Sequence, residues 1–192
     1  QEWYAKQILV PFGEYVPFPF SYLPGLTKLV GPVGTFTAGD NFHPFSVKGD
    51  PNATIQIFPL VCYEDIFPRL ASQREYSSQS LVFVTTNDAW FAEEGCAEQH
   101  AAHSVIRALE SGVPVLRCGN AGWSGWISPN GVIREVLLNQ EGNVYFKGAA
   151  VLEIEWTPKD VTFFAKHGNF FVALCLFFVI LGWYYLERKP NL

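Results

Sequence analysis

The run "FFVALCLFFVILGWYYL", residues 170 to 186, carries seventeen consecutive residues without a charge. As a helix it is about 25 Å long, the short end of what crosses the hydrocarbon core of a bilayer. A helix apolar on every side must be buried in a large core or face lipid. A core helix near a chain terminus rarely lacks a polar face, so the run predicts one transmembrane helix. Trp183, Tyr184 and Tyr185 at its far end suit an interfacial aromatic belt, and Glu187, Arg188 and Lys189 follow at once. Lys166 and His167 precede the span. The positive-inside rule then favours a cytoplasmic C-terminus, with residues 1–165 on the outer face.

Those 165 residues alternate strand and helix patterns. "ATIQIFPLVCY" (53–63), "LVFVTTN" (81–87) and "VPVLRCGN" (113–120) are β-rich runs that stop at polar corners. "EQHAAHSVIRALESG" (98–112) carries apolar residues at helical spacing and ends in Gly112, a helix stop. "WISPNGVIREV" (126–136) predicts a hairpin turning at Pro129-Asn130-Gly131. Interleaved elements of this kind predict an α/β layered domain with active groups at strand ends. Residues 11–45, rich in Pro, Gly and Phe, predict a long irregular excursion of the sort that forms lids and binding loops.

Composition narrows the function. A net charge of -5 offers no basic surface for nucleic acid, while 16% aromatic residues suit lipid contact or a large buried area. Four cysteines without a CxxC pair predict no disulfide framework, leaving Cys96 and Cys118 as the one conceivable bridge. His100 and His103 share a helix face but lack a third metal ligand, so packing or surface roles are expected for both, and no cofactor is implied. The chain opens on Gln and contains no Met, from which a start upstream of Gln1 is expected.

The candidate chemistry centres on "LVCYEDIF" (60–67). Cys62 closes a strand and precedes a predicted helix start, where free backbone N–H groups favour a thiolate and can hold an oxyanion. Considered alone, a strand-end cysteine is more often a small buried hydrophobe. Glu64 and Asp65 oppose a thiolate, so a reactive Cys62 needs a nearby cation. Lys6, in an apolar-flanked strand, is the candidate, against the alternative of an outward strand lysine. Glu14, between two Pro-Phe turns, is on its own a solvated loop carboxylate, and a Cys62–His100 nucleophilic pair is a further option.

Taken in order, "YAKQILVPFGEYVPF", "LVCYED", "TTNDAWF", "QHAAHSVIRALESGVPVLRCGNAG" and "SPNGVI" resemble the bacterial apolipoprotein N-acyltransferase family, membrane members of the nitrilase (carbon–nitrogen hydrolase) superfamily. The resemblance covers nearly the whole chain. It implies a partial nitrilase-like αββα sandwich over 1–165, the C-terminal part of the catalytic domain, followed by a transmembrane helix and short basic tail over 166–192. It implies Cys62 as nucleophile, Lys6 as the cation facing the tetrahedral intermediate, and Glu14 as its supporting glutamate. Tyr63, Glu64, Asn87 and Trp90 are implied as substrate or support positions, with the Tyr63 N–H as an oxyanion donor. Asp65 is expected to begin the following helix. The general-base glutamate is expected upstream of Gln1, so this piece alone is expected to be inactive. The implied partners are a phospholipid acyl donor, a diacylated apolipoprotein acceptor and a bacterial inner membrane, with the domain facing the periplasm. Two places depart from the family pattern: Ala92-Glu93-Glu94-Gly95-Cys96 stands where Gly usually follows "NDAWF", and Trp123 occupies the "NxG" loop. The alternative activity is that of a membrane-tethered amidase or nitrilase with water as acceptor.

Overall fold

The computed structural model describes residues 3–23, 25, 36–40, 42–49, 54–71, 75–91, 93, 95–156 and 161–187. Its centre is a six-stranded mixed sheet in sequence order: β1 (Phe45–Lys48), β2 (Thr54–Val61), β3 (Ser80–Asn87), β4 (Val115–Asn120), β5 (Gly125–Ile127) and β6 (Ile133–Val136). β2, β3 and β4 are parallel, and the outer pairings are antiparallel. The parallel strands end together, with Val61 opposite Thr85 and Asn87 opposite Asn120. Their C-terminal ends therefore form one rim, the usual place for sites in such sheets.

The apolar runs dictate which side is covered. Phe58 and Leu60 on β2, Val82 and Val84 on β3 and Val115 on β4 share one face by two-residue alternation and are buried. Against them lies α2 (Cys96–Ser111) through Ala97, Ala101 and Ala108, small residues that let the helix sit close. α2 ends where expected: Gly112 adopts φ 73° and its N–H bonds the Ala108 carbonyl at 2.9 Å. Arg117 falls on this same covered face, in register with Val84, and is fully buried there. On the other face Phe83, Leu116 and Cys118 line a hollow of about 400 Å³ together with Val144, Phe146 and Leu152.

The predicted α/β class is observed, and the three β-rich runs, the helix and the hairpin fall in place. Two local expectations need correction. Lys6 does not lie in a strand: residues 4–10 are irregular, because their N–H groups bond to carboxylates instead of a neighbouring strand. The helix expected after Cys62 is one 3-10 segment, Cys62–Ile66, followed by a short α1 (Pro68–Ala71) that begins at the proline. All four cysteines are free, Cys96 and Cys118 included. Within the excursion 11–45, residues 20–22 form a 3-10 turn and Phe45 begins β1, while residues 24, 26–35 and 41 lie outside the described set.

α3 (Phe163–His167) follows the domain. The Thr162 hydroxyl caps it by accepting from the Ala165 N–H at 3.0 Å and donates to the Glu110 carbonyl of α2. α4 (Phe170–Glu187) is then eighteen residues long with none buried, and in length and composition is able to cross a membrane. Arg188 and Lys189 lie outside the described residues.

Candidate active site

Cys62 leaves β2 with φ 52°, a left-handed value that costs a residue with a Cβ about 1–2 kcal/mol. The turn is held by Glu64. Its carboxylate is fully buried and accepts from the Val61 N–H at 2.7 Å, on the near side of the bend. It also accepts from the Gln7 N–H at 2.6 Å, the Ile8 N–H at 3.2 Å and the Tyr4 hydroxyl at 2.9 and 3.0 Å. Two oxygens bonded to all these donors have no acceptor capacity left for a thiol proton. Glu64 is thus a staple between the Cys62 elbow and the segment that carries Lys6.

Lys6 Nζ donates to both oxygens of Glu14 at 2.8 Å, and the Val10 N–H donates to Glu14 Oε2 at 2.8 Å. The pair is mostly buried, so the charge-assisted bonds are weakly screened. Glu14 is therefore not the solvated loop carboxylate its local sequence suggests.

A cavity of about 580 Å³ opens over the strand rim, lined by Lys6, Glu14, Cys62, Tyr63, Asn87 and Trp90. Glu64 sits behind it. The Asn87 side-chain oxygen Oδ1 accepts from Asn120 Nδ2 at 2.8 Å, joining the ends of β3 and β4. Trp90, in the 3-10 turn Asp88–Phe91, is half exposed and lies over Gly13, where an added Cβ would come within 2.9 Å of its ring. Gly13 thereby brings the excursion 11–45 against the cavity wall. Of the departures from the family pattern, Trp123 is buried in the core, whereas Ala92 and Glu94 lie outside the described residues.

Asp65 does not begin a helix as expected. It is fully buried, with Oδ2 accepting from Arg117 at 2.6 Å and Ser104 at 2.9 Å and Oδ1 paired with His100 Nε2 at 2.9 Å. Asp88 completes the cluster, bonding His100 Nδ1 at 2.8 Å and the Thr86 hydroxyl at 2.9 Å, with Arg117 at 3.5 Å. Burial alone would raise the Asp88 pKa. His100, Arg117 and Thr86 together hold it below its ordinary value. With both ring nitrogens against carboxylates, His100 cannot take a proton from Cys62, which removes the Cys62–His100 pair. It belongs to neither the solvent surface nor an apolar contact, the roles expected of it. His100 and Arg117 were indistinguishable from ordinary helix and strand residues by spacing. The only signal was the incompatibility of an arginine with an apolar strand face.

The molecule is an α/β protein with a cysteine, a lysine and a glutamate gathered at the ends of its parallel strands. It belongs to the carbon-nitrogen hydrolase family, whose model matches residues 4–153. Curated relatives include the apolipoprotein N-acyltransferase of Rickettsia prowazekii, 34% identical over 185 residues that make up 96% of this chain and 35% of the relative. That of Geobacter metallireducens is 38% identical over 176 residues, 88% of this chain and 30% of the relative. The chain thus spans about a third of the length of the curated relatives it matches. Among solved structures, an amidase from Nesterenkonia sp. AN1 with acrylamide added at its active-site cysteine aligns with TM-score 0.38 and 21% identity, over 54% of this chain and 41% of its own.

Proposed function

We propose that the chain is the thiol-bearing part of a lipoprotein N-acyltransferase, which moves an acyl group from phospholipid to the amino terminus of a diacylated apolipoprotein. The observation that carries this is the placement of the Lys6–Glu14 pair and the Cys62 elbow on one cavity with the exposed rings of Trp90 and Phe91, in a chain that also carries an apolar helix. Phe12, Phe18, Phe20 and Tyr22 are exposed on the excursion that Gly13 joins to the cavity wall, as an entrance for an acyl chain requires.

In this mechanism a carboxylate outside this chain takes the Cys62 proton, and the thiolate adds to the carbonyl carbon of a phospholipid acyl ester. The C–O π pair moves to oxygen, giving an oxyanion that faces the Lys6 ammonium and the Tyr63 N–H. Glu14 keeps that ammonium in place. Collapse breaks the ester C–O bond, lysophospholipid leaves with the proton, and a thioester remains on Cys62. The neutral apolipoprotein amine then adds to the thioester carbonyl, the same outside carboxylate takes one N–H proton and passes it to sulfur as the C–S bond breaks, and an amide and the free Cys62 thiol result. Asn87 and Trp90 border the substrate. The domain occupies residues 1–165 and faces the periplasm, with 166–192 as its anchor in the inner membrane.

The test is incubation of full-length protein with phospholipid, followed by mass analysis of Cys62. An acyl adduct on Cys62 that is absent in Cys62→Ala, and about a hundredfold slower to form in Lys6→Ala, supports the transferase. Ammonia release from a soluble amide without an acyl adduct would establish a hydrolase instead.

A further inference from the structure

His100 is a largely buried titratable group that the mechanism does not use. His100 Nε2 lies 2.9 Å from Asp65 Oδ1 and its Nδ1 lies 2.8 Å from Asp88 Oδ1. A neutral imidazole has one N–H and one lone pair, so between two carboxylates one of its nitrogens would face an oxygen lone pair to lone pair. Only the protonated ring suits both. The charges agree: Asp65, Asp88 and Arg117 leave one negative charge in the buried cluster, and an imidazolium neutralises it.

The other groups around the ring do not supply that charge. Arg107, on the same helix, pairs with Glu110 at 2.9 Å and touches Asp65 only at its backbone carbonyl. Lys6, across the cavity, is taken by Glu14. Cys62, Cys96 and His103 line the same cavity as the ring. Burial and the Arg117 charge both work against a cationic ring. The two carboxylates outweigh them and push its pKa up to about 9.

We propose that His100 is a positioning residue whose imidazolium fixes the elbow bearing Cys62 to the turn bearing Asn87 and Trp90. It joins Asp65, on the 3-10 segment that Cys62 opens, to Asp88, which follows Asn87 directly. The proposal rests on Cys62 being the acylated nucleophile. Above the ring's pKa one of the two ties becomes repulsive, so acylation acquires an alkaline limit that belongs to His100.

The test uses full-length protein between about pH 6 and 10, with two readouts. Iodoacetamide alkylation of Cys62 reports thiol access without lipid, and thioester formation from phospholipid reports the aligned site. In the wild type, thioester formation relative to alkylation falls about tenfold with a midpoint near the ring's pKa of about 9. His100→Gln opposes an amide oxygen to Asp88 and lowers it about tenfold already at neutral pH. Adding Asp88→Asn gives that oxygen a donor and restores charge balance, so the double variant recovers to within about threefold and loses the alkaline fall. Asp88→Asn alone also loses the fall, since a neutral ring then satisfies both neighbours.

Wild-type behaviour in His100→Gln, or an alkaline fall retained in Asp88→Asn or in the double variant, overturns the proposal. A double variant whose Cys62 alkylates normally but gains nothing over His100→Gln overturns it as well. A wild type that alkylates at Cys62 but forms no thioester at any pH refutes the transferase itself and the alignment role with it.

Discussion

At Cys62 the backbone and the chemistry compete. The left-handed φ that presents the thiol is one that glycine accepts freely and alanine does not. Cys62→Gly should therefore be more stable than Cys62→Ala by about 1 kcal/mol in chemical denaturation, while neither forms an acyl adduct. Equal stabilities would mean that the elbow is unstrained. Glu64→Gln should be far worse: it aims an amide N–H₂ at backbone donors in a fully buried position, and costs about 2–4 kcal/mol although the change is nearly isosteric. The acids beside the thiol were legible as a pair, but not their separate uses. Glu64 spends its charge on the segment 4–8 and Asp65 on an arginine 52 positions downstream. Local sequence records neither partner, because strand register and chain return decide both.

At the level of elements, what could be read from the sequence followed from period and punctuation. β2, β3, β4 and α2 announce themselves through alternation, apolar runs and a terminal Gly112. β1 is four residues on an edge and follows an irregular stretch, so no pattern marks it. The short 3-10 turns after β2 and β3 were invisible for another reason. Their shape is set by carboxylates bonded to distant groups, not by helix propensity. The packing of Gly13 against the Trp90 ring is equally remote in sequence, and it can be probed. Gly13→Ala pushes on the far end of a half-exposed tryptophan ring, which can swing away. Stability should change by less than about 0.5 kcal/mol, while Trp90 fluorescence shifts and KM for the acyl donor rises several-fold more than kcat falls. An unchanged KM would separate Trp90 from substrate binding.

For the whole molecule, the buried charge cluster predicts how stability varies with pH. The folded pKa of His100, about 9, lies above its ordinary 6.5. The folded state therefore keeps a proton that the unfolded chain releases between those values. Its contribution is fully present below 6.5 and is lost as pH rises through about 9, a span of about 3 kcal/mol. Asp88 acts with the opposite sign: its lowered pKa stabilises above 3.8 and that gain disappears as pH falls through the lowered value. The urea midpoint should thus decline on the alkaline side in the wild type, and the decline should be absent in the His100→Gln, Asp88→Asn pair. A wild-type midpoint that is flat from neutral to alkaline pH would place the ring's proton equilibrium elsewhere.

The Glu64 staple has a corollary for the cavity mouth. Because one carboxylate fastens the lysine segment to the cysteine elbow, the spacing of cation and sulfur does not depend on the two groups attracting each other. Nor does it depend on the residues that border the substrate. Substitutions at Gly13, Trp90 and the aromatic side chains of 12–22 should then reshape the mouth of the cavity without moving Lys6 relative to Cys62. A fastening of that sort lets the cavity mouth be redrawn one exposed side chain at a time while the lysine and the sulfur keep their places.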